Sequence, residues 1–180
     1  GSEFFTCDML AYKCYTHFEY LSLPGGDTAV KYPWKIAAAI IHSIYKDKAG
    51  EILNKLFKKI PKQEIEIVLA SLNSNLQFPL SCGSGRYFDA AAALLGICTH
   101  ISFEAEGPVR LEAATDQTVT DKYPYELNDV IFLSALFEEL IQDIEDAVAV
   151  PIISAKFHNT IIDIILSVSN KIRSETGLQT

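Results

Sequence analysis

The alternation of apolar and polar positions divides the chain into a short aromatic opening and a long series of helices. Residues 3–9 and 15–23 are rich in aromatic and β-branched side chains and flank a short polar link, which predicts an antiparallel pair of strands. Pro24-Gly25-Gly26 ends the second strand. From Pro33 to Tyr45, the residues Ile36, Ala37, Ile40, Ile41 and Ile44 recur at helical spacing behind a proline suited to a first helical position, so a helix is expected there. Two more helices are expected over 49–58 and 62–72, divided at Pro61, with their lysines on a solvated face. A polar loop over 73–84, carrying Pro79 and Gly83, leads to a helix that starts at Gly85-Arg86 and ends near Gly96. Residues 101–104 read as a short strand or an extended link, and 109–114 as one or two helical turns. Residues 115–128 read as a loop, with 123–127 its candidate extended stretch. An amphipathic helix over 134–147 and a long helix over 151–175, closed by Gly177, complete the pattern. The sum is an α+β arrangement dominated by helix, with no internal repeat and no low-complexity tract.

Composition narrows the function classes. With 180 residues and 49% hydrophobic positions the chain can bury a core of normal size and counts as one domain. A formal net charge of −8 is the opposite of the basic footprint that nucleic-acid binding needs, so no nucleic-acid partner is expected. Apolar runs such as 36–44 are too short to span a bilayer and no basic leader precedes them, so a soluble cytoplasmic protein with no membrane contact is expected. Cys7, Cys14, Cys82 and Cys98 show no zinc-site spacing and read as structural thiols, the first two close together if a hairpin joins their segments.

The candidate chemistry lies at Ser84-Gly85-Arg86-Tyr87-Phe88-Asp89, which runs into Ala90-Ala91-Ala92-Ala93-Leu94-Leu95-Gly96. Ser84 is placed to cap the helix, the first-turn N–H groups carry partial positive charge, and Gly85 leaves the backbone open to a ligand. The bland alternative makes Gly85 a helix-start residue, Arg86 a salt-bridged side chain and Asp89 a complement to the helix dipole. Glu104 reads as a surface carboxylate or, more sharply, as a ribose-binding acid. His158, on an apolar helix, reads as a hydrogen-bonded core residue, and His17, His42 and His100 have no site-like spacing. There is no G-x-S-x-G, phosphate-binding Walker loop, H-E-x-x-H or paired-carboxylate motif.

Taken in order, Leu23-Pro24-Gly25-Gly26-Asp27 with Tyr32-Pro33-Trp34-Lys35, the Gly85-Arg86-x-Phe88-Asp89-Ala90 helix start, Ile101-Ser102-Phe103-Glu104 with Leu111-Glu112-Ala113, and Ala155-Lys156-Phe157-His158-Asn159-Thr160 resemble the C-terminal region of the hydrogenase maturation carbamoyltransferases, the HypF family. Ala105-Glu106-Gly107-Pro108 departs from that family's Gly-Gln-Ala-Ala. Its His-His-x-Ala-His metal motif and Ser-Gly-Gly loop are absent, so the chain is expected to be a piece of a larger enzyme. Gly1-Ser2-Glu3-Phe4 fits both the family's G-x-E-F and a cloning scar, and the sequence leaves that choice open.

The resemblance implies part of a TsaD-like domain of actin-like, Hsp70-like nucleotide-binding fold: a hairpin over 1–23, a helical insertion over 33–72 and a helical lobe over 84–180, in one compact fragment. An exposed interlobe surface is then expected. The resemblance further implies an enzyme that uses ATP and carbamoyl phosphate, by way of carbamoyl-adenylate, to carbamoylate the C-terminal cysteine of the partner HypE for the cyanide ligands of nickel-iron hydrogenase. Gly85, Arg86, Asp89 and Glu104 are its implied nucleotide contacts, and its divalent-metal ligands are expected outside this stretch. The fragment itself is expected to be inactive. A noncatalytic helical interaction module and a TsaD-like transferase acting on transfer RNA are the alternatives; the acidic balance and the Leu-Pro-Gly-Gly-Asp segment weigh against the latter.

Overall fold

The computed structural model describes residues 1–74 and 76–178; Asn75, in the predicted 73–84 loop, and the last two residues of the expected fragment lie outside the described residues. In chain order the elements are β1 (Glu3–Cys7), β2 (Tyr12–His17), β3 (Leu21–Ser22), α1 (Asp27–Lys31), α2 (Trp34–Tyr45), a short 3-10 turn (Lys46–Lys48), α3 (Ala49–Leu56) and α4 (Lys62–Leu72). Then follow β4 (Leu80–Ser81), α5 (Ser84–Leu94), α6 (Glu106–Ala113), β5 (Glu126–Leu127), β6 (Ile131–Phe132), α7 (Ser134–Glu145) and α8 (Val150–Thr176). The expected helix-dominated α+β class holds: among the described residues the strands form three two-stranded antiparallel pairs, β1-β2, β3-β4 and β5-β6. By their contacts the residues group into two units rather than one, Gly1–Glu19 with Thr115–Thr180, and Tyr20–Ala114.

In the first unit, β1 and β2 pair with a register shift between Phe4 and Phe5. The Asp8 carboxylate accepts from the Leu10 and Ala11 N–H groups at 2.7 and 2.8 Å and so shapes the hairpin turn. Cys7 and Cys14 face one side of this hairpin on different pairing positions and are exposed thiols, whereas Cys82 and Cys98 of the other unit are buried. The predicted second strand, 15–23, is two strands: β2 stops at His17, and Leu21-Ser22 pairs instead with Leu80-Ser81. Helix α8 buries Ile153, Ala155, Phe157, Ile161, Ile164 and Val168 and ends at Gly177, whose φ of 73° is the left-handed cap that the sequence predicts. It is long and apolar enough to cross a membrane by length and composition, which the shorter 36–44 run did not anticipate. Its buried stripe and its paired Lys156 and Asp163 are features of an amphipathic core helix.

In the second unit, α2 is the central element, packing against α3, α4 and α5, and α5 packs in turn against α6. Ile36 to Ala38, Ile41, Ala90 to Ala93 and Leu111 are 0–1% exposed, so the alanine-rich face of α5 allows close helix approach. α5 closes as a Schellman motif: Gly96, at φ 70°, donates to Ala93 O at 3.0 Å, and Ile97 donates to Ala92 O at 2.9 Å. The 101–104 segment is a bend leading into a turn, with no strand partner among the described residues, and its Ile101 N–H donates to Lys31 O at 2.9 Å.

Candidate functional site

The start of α5 is assembled by local hydrogen bonds. Gly83, in extended conformation, occupies the cap position, so Ser84 is the first helical residue and not the cap expected from sequence. Gly83 N–H donates to Ser81 Oγ at 3.2 Å, and Arg86 N–H donates to Gly83 O at 2.9 Å, so one of the first-turn donors is already engaged. Gly85 is open: a Cβ placed there would meet nothing within 4 Å, and its φ lies outside the left-handed region. Its value is therefore access to the helix start and not backbone freedom.

From the first turn into the second, Arg86 and Asp89 form an i,i+3 ion pair, with Nη1 and Oδ2 3.0 Å apart. The two ends differ in environment, since the arginine side chain is 25% exposed and the aspartate 1%. Neither of these two atoms makes a hydrogen bond among the described residues. Burial pushes the Asp89 carboxyl up to about 6, and the neighbouring guanidinium only partly offsets this.

Of the four sequence-predicted residues, the structure therefore brings Arg86 and Asp89 together beside Gly85. Glu104 is exposed on the turn before α6. The acid that the fold buries here is Glu106, two residues on and 3% exposed. It accepts from Ser102 N–H at 2.6 Å and Ser102 Oγ at 2.7 Å, and pairs with Arg110 Nη2 at 2.7 Å. The Ser102 bonds, with help from Arg110, hold its carboxyl below the usual range. Gly107 lies directly on α5: a Cβ there would sit 3.1 Å from Asp89 Oδ1 and 3.4 Å from Ala92 Cβ. Glu106 and Arg110 were legible as an i,i+4 pair, but Gly107 becomes visible only once α6 is laid across α5.

In the other unit, His158 Nδ1 is 2.8 Å from Ser154 O, a bond within α8 that agrees with the reading of a hydrogen-bonded core residue. Asn159, beside it, donates to Val119 O and Asp121 O at 2.9 and 3.0 Å. These residues tie the 115–125 segment to α8.

The family model described as the second subdomain of the Kae1-like domain of carbamoyltransferases matches residues 1–180. The chain belongs to this HypF family. A carbamoyltransferase HypF homolog of Cupriavidus necator is 40% identical over 97 residues, covering 54% of this chain and 24% of that protein. The carbamoyltransferase HypF of Synechocystis is 28% identical over 187 residues, covering 95% of this chain and 24% of that protein. The chain thus spans about a quarter of the length of these curated HypF relatives. A crystal structure of full-length HypF in a phosphate- and nucleotide-bound form superposes with a TM-score of 0.89 at 27% identity, over 99% of this chain and 23% of that one. HypF of T. kodakarensis shares the fold, with a TM-score of 0.79 at 24% identity over 93% of this chain.

Proposed function

We propose that this chain is one part of a carbamoyltransferase and that the start of α5 is its contribution to a nucleotide site. The observation that carries the reading is the match of the whole chain to a carbamoyltransferase subdomain, with a TM-score of 0.89 to HypF, a protein crystallised with phosphate and nucleotide. Within that subdomain Gly85 leaves the helix start open, and Arg86 keeps a quarter of its side chain in solvent. A guanidinium fork suits a phosphate or acyl oxygen, and the helix start adds partial positive charge. Asp89, buried one helical turn after Arg86, belongs to the same reading, and exposed Glu104 is the acid we assign to a ribose hydroxyl.

In the full reaction, carbamoyl phosphate is hydrolysed to carbamate and phosphate, carbamate and ATP give carbamoyl-adenylate and pyrophosphate, and the C-terminal cysteine thiolate of HypE takes the carbamoyl group with release of AMP, on the way to the cyanide ligands of nickel-iron hydrogenase. The cytoplasm is the compartment this chemistry fits, and the actin-like architecture is the frame it uses. A divalent metal would offset phosphate charge. Among the described residues no three His, Cys, Asp or Glu side chains converge to hold one.

The test is carbamoyl-AMP formation by the full-length protein with Arg86→Lys, which keeps the charge and removes the fork. A loss of about tenfold or more in kcat/KM for ATP is expected, the size of one charge-assisted hydrogen bond. Unchanged kinetics would remove Arg86 from the site. The second reading, a noncatalytic docking module, draws on exposed Ile162, Ile165 and Leu166 of α8. It predicts that Arg86→Lys is silent while Ile165→Glu abolishes assembly.

A further inference from the structure

The nucleotide reading allows Asp89 either to accept a ligand hydroxyl or to act through Arg86, and the geometry separates the two. Its Oδ2 is buried and faces Arg86 Nη1 at 3.0 Å. Its other oxygen lies beneath the first turn of α6, so close that a Cβ on Gly107 would stand 3.1 Å away. With the side chain 1% exposed, no oxygen of Asp89 has room for a ribose hydroxyl. Arg86 is the opposite case, with one nitrogen buried on the carboxylate and a quarter of the side chain in solvent.

We propose that Asp89 is a positioning residue, which grips the inner edge of the Arg86 guanidinium and turns the rest of the fork outward toward a phosphate or carbonyl oxygen of the nucleotide. The proposal rests on the reading of the α5 start as a nucleotide site. A guanidinium carries five N–H donors in a rigid plane, so fixing one nitrogen fixes the direction of the others. Burying a charge pair contributes little to stability on balance, and this one is close without a well-aligned hydrogen bond, which suits a tether better than a structural brace. The other charged groups nearby do not compete for the tether. Glu106 and Arg110 on α6 pair with each other at 2.7 Å. The Cys98 thiol, after α5, is held above its usual range by burial and by Glu106.

Two readouts on the full-length protein test this. The first is the side-chain 15N order parameter of Arg86 without ligand, in the wild type and in Asp89→Asn, which keeps the shape, and Asp89→Ala, which removes the grip. The second is the affinity for AMP in Asp89→Asn, Arg86→Lys and the double variant. A tether predicts a more mobile Arg86 in Asp89→Ala, about tenfold weaker AMP binding in Asp89→Asn, and a double variant no weaker than Arg86→Lys alone. Losses that multiply would mean that Asp89 meets the ligand itself, and an unmoved order parameter would mean that no tether exists; either overturns the proposal. If Arg86→Lys leaves AMP affinity unchanged while Arg86 still loosens in Asp89→Ala, it is the nucleotide reading that has failed, and the proposal falls with it.

Discussion

Along α8, in one unit, polar side chains find partners wherever the 115–125 segment meets the helix, whereas across α5 and α6, in the other, a buried ion pair is left without a formed hydrogen bond. Tyr123 N–H donates to Thr160 Oγ1 at 2.8 Å, Tyr123 OH to Asp143 Oδ2 at 2.6 Å, and Asn159 to two backbone carbonyls. Lys156 adds an ion pair to Asp143 and lies 4.2 Å above the Tyr123 ring. Such a seam fixes the register of an irregular segment that has little apolar surface of its own. At the α5–α6 crossing, apolar packing by alanines already fixes the register, and Asp89 adds a desolvation cost. The difference separates polarity that holds the fold from polarity that the fold tolerates, and the second kind is where function is sought.

The largest expected break of this contrast is Arg86→Ala, which leaves the Asp89 carboxylate buried with no counter-charge. A loss of about 2–4 kcal/mol is expected at pH 8, read from urea midpoints, and a smaller loss at pH 5, where Asp89 takes up a proton. Next is Asn159→Ala in the α8 seam. It removes both carbonyl bonds and should cost about 1–3 kcal/mol, with faster hydrogen exchange over 119–123. A cost below ~0.5 kcal/mol would show that the seam follows the packing and does not set it.

Asp89→Asn sharpens the contrast through pH. The folded carboxyl titrates near 6, above its unfolded value of 3.8, so its contribution is fully present below about pH 4, falls as pH rises to 6, and stays level above that. Asparagine removes the step. The stability difference between wild type and Asp89→Asn should therefore move against the wild type by on the order of 2 kcal/mol between pH 4 and 7. Taking the difference matters, because the hydrogen-bonded carboxyls of Asp8, Asp116 and Asp163 are shifted down and lose their contributions as the pH falls. A flat difference would show that Asp89 is solvated in the folded state.

What the sequence makes legible follows the same division. Helix ends governed by local chemistry are readable: α4 spans residues 62–72 as expected behind Pro61, and Gly96 and Gly177 close α5 and α8. α1 was not foreseen, because five residues after Gly25-Gly26 offer too short a period to detect. β3-β4 was not foreseen either, since a two-residue pairing between positions nearly sixty apart leaves no local trace. At the candidate site, Gly85, Arg86 and Asp89 stand out because they lie within five residues at the start of one helix. The burial of Asp89, and the roles of Glu106 and Gly107, depend on a second helix whose placement no spacing within α5 encodes.

The smallest predicted effect lies in that second helix and has the opposite sign. Ala105, just before α6, sits at φ 61° and ψ 19°, a left-handed conformation that disfavours a residue with a Cβ. The HypF pattern has glycine at this place and alanine at 107, and this chain reverses the two. Ala105→Gly should relieve the backbone while giving the unfolded chain more freedom, for a net gain of about 0.5 kcal/mol. Gly107→Ala gains about 0.5–1 kcal/mol of helix preference, but its methyl would press on Asp89 Oδ1 at 3.1 Å and Ala92 Cβ at 3.4 Å; with Asp89 and Ala92 both buried and unable to give, a net cost of about 1 kcal/mol is expected. Combining the two tests whether the exchange is coupled. If α6 is free to lift from α5 once Ala105 is relieved, the pair will be more stable than the sum of the singles, and thermal melts that resolve ~0.3 kcal/mol would show it. Strict additivity would mean that Gly107 is held on Asp89 by the α5–α6 packing alone, leaving the Arg86 tether insensitive to the turn that precedes α6.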